Sequence, residues 1–126
     1  MNVLSKISLR DKFSTFDEIW SPKIVATAND FAVKIAKIEG EFVWHHHDDE
    51  DEVFFIIAGG IRMQYKRDGL QGEVEFGPGE LLMVPHGVEH RPIARPGTQI
   101  LLFEKAATRN TGNLADHERT VEAQLI

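Results

Sequence analysis

His45-His46-His47-Asp48-Asp49-Glu50-Asp51-Glu52 and, further along, Val84-Pro85-His86-Gly87-Val88-Glu89-His90 hold five of the chain's six histidines. In an extended strand, side chains alternate between faces, so His45 and His47 point one way and His46 the other. The acidic run Asp48 to Asp51 reads as a turn. Glu52 would open the next strand, which folds back beside the first and brings its carboxylate to the two imidazoles. His90 would arrive from a distant strand after the turn at Pro85-His86-Gly87. Three imidazoles and one carboxylate are an N/O ligand set suited to one divalent ion such as zinc, iron, nickel or manganese.

Bland readings compete with this one. A His-rich, acidic tract is often a solvated loop, but Glu52 and His90 complete a pattern that a loop does not need. Glu50 is an alternative carboxylate, although Glu52 keeps the better spacing to Gly59. His46 faces away by parity, His86 reads as a turn residue, and His117 has no partner in sequence.

Outward from this block the pattern is β. Ile24–Ala26 and Ala32–Ala36 flank the turn pair Asn29-Asp30, and Glu39-Gly40-Glu41 breaks before Phe42-Val43-Trp44. Val53–Ile57 is an apolar run expected to be buried on both faces. Ile61–Tyr65 alternates, and Asp68-Gly69 marks a hairpin. Val74–Phe76, Leu81–Val84, Ile93-Ala94 and, after a turn at Pro96-Gly97, Ile100–Phe103 complete about nine short strands, the spacing of an all-β sandwich or barrel. A short helix is expected within 8–20, capped by Ser8, with Pro22 ending that element. Residues 106–126 read as an irregular tail with a turn at Asn110–Asn113. The expected organisation is one domain over 1–126, with a core barrel over about 23–105 and a leading segment over 1–22.

The chain has 126 residues and a formal net charge of -6, with no cysteine. No basic patch offsets that charge, which argues against a general nucleic-acid binder. Thiolate metal sites and disulfides are excluded. The start of the chain shows no apolar run long enough for a signal peptide, and no stretch is long enough to span a membrane, so a cytoplasmic protein is expected.

The two blocks carry a resemblance. Gly40-x4-His45-x-His47-x4-Glu52-x6-Gly59 resembles the first motif of the cupins, one residue short between its opening Gly and His. Gly79-x5-Pro85-x-Gly87-x2-His90 resembles the second, with Ala94 where an Asn is usual. That Asn is not a metal ligand in the family. The chain resembles small single-domain cupins grouped with the mannose-6-phosphate-isomerase-like set, a label for fold kinship. The resemblance implies a jelly-roll (double-stranded β-helix) barrel with His45, His47, Glu52 and His90 as ligands of an ion in its mouth. It also makes a homodimer the expected assembly.

Strand parity offers Val43, Phe54, Ile56, Met63, Tyr65 and Phe103 as pocket-lining residues, against the plainer reading of barrel packing. An apolar pocket would take a small organic molecule with an apolar or aromatic part, its polar end on the metal. Arg91 follows a ligand and so points to the other face. An open metal site can polarise a carbonyl, activate water or bind dioxygen. No nucleophile motif is visible, and no free carboxylate inside the barrel can be assigned. Chemistry carried mostly by the metal, as in oxygenases, is therefore expected ahead of isomerase or lyase chemistry. A non-catalytic small-ligand binder or sensor is the alternative, and a storage role is the weakest.

Overall fold

The computed structural model describes residues 3–126. One helix, α1 (Leu9–Phe13), precedes strands β1 (Lys23–Ala28), β2 (Phe31–Glu41), β3 (Glu52–Ala58), β4 (Ile61–Arg67), β5 (Leu70–Phe76), β6 (Leu81–Val84), β7 (Glu89–Lys105) and β8 (Gln124–Leu125). The hydrogen-bonded order is β5-β4-β7-β2-β1-β8, with β3 between β7 and β6. The sheet wraps into a jelly-roll sandwich, and its hydrogen-bonded path does not close on itself.

β7 is the spine. It pairs with β2 from Phe31↔Lys105 to Glu41↔Ile93 on one side. On the other it pairs with β4 before its bend (Tyr65↔His90) and with β3 after it (Phe54↔Leu102). The two strands expected around Pro96-Gly97 are therefore one bent strand. Proline there interrupts only its own N–H, and the exposed Pro96 and Gly97 sit where no ladder bond is lost to the interior.

Other boundaries also move. β2 runs through the expected break at Glu39–Glu41, absorbing it as a bulge between Ile38 and Gly40. Phe42-Val43-Trp44 is not a strand. β3 is fully buried on its inner face and half-buried on its outer one. At its end Gly59, at φ +84°, lies so close to Thr98 that a Cβ would come within 2.7 Å of the Thr98 Cα, leaving no room for a side chain. The tail is irregular except at β8, which pairs parallel to β1.

The helix is shorter than the 8–20 window. Ser8 caps it, its Oγ accepting from the Asp11 N–H at 3.2 Å. Ser14 and Thr15 then donate their hydroxyls back to the carbonyls of Asp11 and Lys12, at 2.6 and 2.7 Å, satisfying the groups that a further turn would have used.

Two apolar clusters result. Inside the roll, Ile38, Phe54, Ile56, Ile61, Met63, Ile100 and Leu102 pack together with Trp20 and Phe42. On the outer face, Phe13 and Phe16 cover Val25 and Ile35, with Ile126 closing the edge. Among the described residues no helix is long and apolar enough to cross a membrane.

Candidate metal centre

The structure brings His45, His47, Glu52 and His90 together, with one ligand-type atom from each within 4.8 Å of all the others. Glu52 opens β3, and His90 lies near the start of β7. His45 and His47 sit on an extended connection whose only ladder contact is a bridge from His45 to His90. Alternation survives without a full ladder. His45 and His47 are buried, whereas His46 turns out to Asp48, its Nε2 3.0 Å from Oδ1. Asp48, Asp49 and Asp51 are exposed and Glu50 half-buried, and none joins the cluster. His86 belongs to the turn, where Asp51 Oδ1 accepts its backbone N–H at 2.8 Å. Arg91 lies on the outer surface, bound to Gln64 and Glu41.

Two of the imidazoles are oriented by backbone carbonyls. His45 Nδ1 is 2.9 Å from Val43 O, and His90 Nδ1 is 2.9 Å from Val88 O. A carbonyl only accepts, so Nδ1 carries the hydrogen and Nε2 is left with a free lone pair. This is how outer hydrogen bonds commonly fix the tautomer of a ligating histidine. His47 Nε2 and Glu52 Oε1 are 2.8 Å apart, and His90 Nε2 lies 3.3 Å from the same oxygen. None of these three buried atoms has a well-aligned hydrogen-bond partner. Buried polar atoms are rarely left so, and atoms that face a common point rather than one another fit a shared cation.

Burial pushes the His45 imidazole down to about 3, with the neighbouring His90 imidazole acting in the same direction, so His45 is neutral and ligand-competent. Burial works to raise the Glu52 carboxyl, but the side chains of His47, His90 and Glu104 crowded against it outweigh burial and hold the group well below its usual range. Glu104 moves the opposite way: burial first, then the charge and hydrogen bond of Glu52, raise it well above the ordinary value. Of these two buried carboxyls, both lining one cavity, Glu52 is thus favoured as the anion and Glu104 as the protonated group.

A cavity of about 50 Å³ adjoins the cluster, walled by Trp20, Phe42, Phe54, Ile100 and Leu102, with His45, Glu52, Glu104 and Asn110 as its polar members. Trp20 stacks on Phe42 with ring centroids 4.6 Å apart, and Phe42 meets His45 edge-on at 5.4 Å. A second cavity of about 190 Å³ reaches His90 from the other side, past Met63, Tyr65 and Val88. A larger groove, about 560 Å³ along Gly59, Arg62, Pro78 and Arg95, touches none of the four clustered residues.

Against the expected lining residues, Phe54 borders the first cavity and Met63 and Tyr65 the second. Ile56 and Val43 are core packing. Phe103 is misplaced by the sequence reading: it has odd parity on β7, opposite to Leu102 and Glu104, and stacks outside on Phe31 at 5.1 Å. The sequence reading also missed Trp20, Phe42, Asn110 and Glu104. The first three lie on irregular segments without periodicity. Glu104 had a signal, since it shares parity with Ile100 and Leu102, and it overturns the expectation that no interior carboxylate is available.

The tail forms part of the wall. Asn113 N donates to His46 O at 2.9 Å, and Asn113 Oδ1 accepts from His46 N at 2.9 Å. Gly112, at φ +56°, lies against the His46 carbonyl and the His45 ring, where any Cβ would collide.

A family model described as a cupin domain matches residues 31–103. A cupin-2 domain containing protein from Shewanella frigidimarina is 41% identical, with a TM-score of 0.73 over 79% of this chain and 93% of the other. A protein from Neisseria meningitidis is 30% identical, with a TM-score of 0.70 over 80% of this chain and 99% of the other. Hydroquinone 1,2-dioxygenase from Sphingomonas, solved with 4-hydroxybenzoate bound, also reaches a TM-score of 0.73. It is 20% identical over 82% of this chain and 32% of its own, a likeness of fold. No curated protein matches the sequence.

Proposed function

The chain belongs to the cupin-domain family, and from that premise we propose that it is a metal-binding cupin acting on, or holding, a small organic molecule. His45, His47, Glu52 and His90 are the proposed ligands. The observation that carries this is the convergence of buried Nε2 and carboxylate atoms without aligned partners, with two imidazoles already turned by Val43 O and Val88 O. The donor set is all nitrogen and oxygen, which fits a divalent ion such as zinc, iron, nickel or manganese. Bound there, such an ion supplies a Lewis acid with positions open to a ligand.

The chain's own residues define what that ligand meets. Trp20, Phe42 and Phe54 give the cavity aromatic walls suited to an aromatic or apolar body. The Glu104 carboxyl, whose buried Oε2 has no partner, offers a hydrogen bond at its polar end. Glu104 also supplies an acid–base group beside the cluster, so lyase or isomerase chemistry stands level with the oxygenase chemistry suggested by the hydroquinone dioxygenase fold relative. A homodimer belongs to the same reading. It is supported by the exposed Leu81 and Met83 on edge strand β6 and by the half-exposed Phe103, and a monomer by light scattering would end it.

Elemental analysis of untagged protein tests the proposal. One transition-metal ion per chain is expected, and protein that takes up none after dialysis against each of the four ions overturns it. Iron would lift the oxygenase reading. A co-purified ligand recovered unchanged after prolonged incubation with the loaded protein would move the role to binding or sensing.

A further inference from the structure

His45 and His47 sit on a segment with a strand along one edge alone. Backbone groups of an extended chain point alternately to its two edges. On the first edge His45 N donates to His90 O at 3.1 Å, and His90 N donates to His45 O at 2.8 Å. Gly87 N donates to His47 O on the same edge, at 2.7 Å. The N–H and C=O of His46 therefore face the second edge, where among the described residues no strand pairs with them. One residue of the tail fills that place. Asn113 donates its backbone N–H to His46 O and accepts the His46 N–H at its Oδ1, both at 2.9 Å. Its side-chain carbonyl stands in for the backbone carbonyl that a neighbouring strand would offer.

The turn that carries Asn113 is braced from within. The buried Thr111 donates its hydroxyl to Leu114 O at 2.6 Å, and Leu114 N donates to Thr111 O at 3.0 Å. Arg109 O accepts from Gly112 N, and Arg109 Nη1 donates to Gly112 O, each at 3.0 Å. Gly112 lets this turn close onto the His46 carbonyl, where a side chain would collide. A segment bonded along one edge can roll about that edge, and a roll would swing both imidazoles away from Glu52 and His90. Bonds on the second edge prevent it. We propose that Asn113 is the positioning residue for His45 and His47, taking the place of a missing strand and so setting metal affinity. The inference rests on the metal-site reading above. Outer partners of metal ligands typically change affinity by about 10–100-fold when removed. Asn113 is exposed, so water competes for its bonds and the lower end of that range is expected.

The test is calorimetric titration of the metal-free full chain with Ni²⁺, together with visible absorption spectra of the Co²⁺-loaded protein. Asn113→Ala removes the Oδ1 acceptor and keeps the backbone donor. It should bind about tenfold more weakly, with a shifted Co²⁺ spectrum. Asn113→Asp keeps an acceptor oxygen at the same reach and should restore both affinity, to within about twofold of wild type, and spectrum. His46→Ala leaves both backbone groups in place and should also match wild type. Wild-type affinity and spectrum in Asn113→Ala would overturn the inference and leave the metal site standing. Binding by Asn113→Asp as weak as that of Asn113→Ala would overturn it too, since the acceptor would then not be what counts. Failure of wild type to take up Ni²⁺ and Co²⁺ would sink the site reading and the inference with it.

Discussion

The two faces of the sheet use one backbone for opposite ends. On β2, Ala32, Lys34, Ala36 and Ile38 point inward, while Val33 and Ile35 point outward beneath α1. The outer face is sealed by Phe13, Phe16 and Ile126, and its two lysines, the buried Lys23 and the half-buried Lys37, lie over the Phe16 ring. The inner face buries three histidines, two glutamates and a lysine. Four of the buried side-chain atoms without hydrogen-bond partners, on His47, Glu52, His90 and Glu104, lie there among the described residues. The outer face spends its area on packing, whereas the inner face gives up part of that stability to hold polar groups at a common point.

The contrast can be broken most directly at the cluster. His47→Ala should abolish stoichiometric metal binding by calorimetry while the far-UV dichroism stays that of a folded β protein. Retained binding would remove His47 from the ligand set. The outer face should respond in the complementary way. Ile35→Ala, at a fully buried site, should cost about 2–5 kcal/mol in urea unfolding with metal affinity unchanged. A tenfold loss of affinity would show that the faces are coupled.

Acid sharpens the comparison, because the strongest shifts sit on the inner face. Unfolded His45 titrates near the ordinary 6.5 and folded His45 near 3. Its contribution to stability is therefore present above pH 6.5 and lost as pH falls. Glu104 is raised above its ordinary 4.5, so its contribution is lost as pH rises from there. The two oppose each other as pH moves up from 4.5. Glu104→Gln removes one of them. In the chelated variant, stability should then drop by up to about 1.4 kcal/mol per pH unit below 6.5, read from urea midpoints across pH. A flat profile in that variant would show that His45 is not held neutral. The smallest effect belongs outside: Phe103→Ala should cost only about 0.5–1.5 kcal/mol, the worth of an exposed aromatic pair, and leave Ni²⁺ affinity alone.

Much of this was legible in residue order, because the features concerned are local. Parity separated His45 and His47 from His46, and two turn-bounded blocks pointed to Glu52 and His90. The β class followed from short alternating runs. What escaped depends on partners far away in sequence. Nothing local marks Lys34 and Glu104 as a pair until β2 and β7 are set in register, when the two side chains meet inside. Trp20, Phe42 and Asn110 reach the cavity from irregular segments where no period marks the inward side. The same blindness put Phe103 in the pocket and split β7 at Pro96-Gly97, because a bend and a chain reversal look alike in sequence.

β7 also sets a timetable. It joins β2, β3 and β4, and its pairing with β2 ties Phe31 to Lys105. Contacts so distant along the chain form slowly, since long loops must close before they are rewarded. Hairpins such as β4–β5 need no such closure. His90 travels with β7, so the three imidazoles and Glu52 meet only after that strand has docked. Ion capture is consequently a late event in refolding, and a chain arrested before β7 docks would carry most of its hairpins but no grip on the metal.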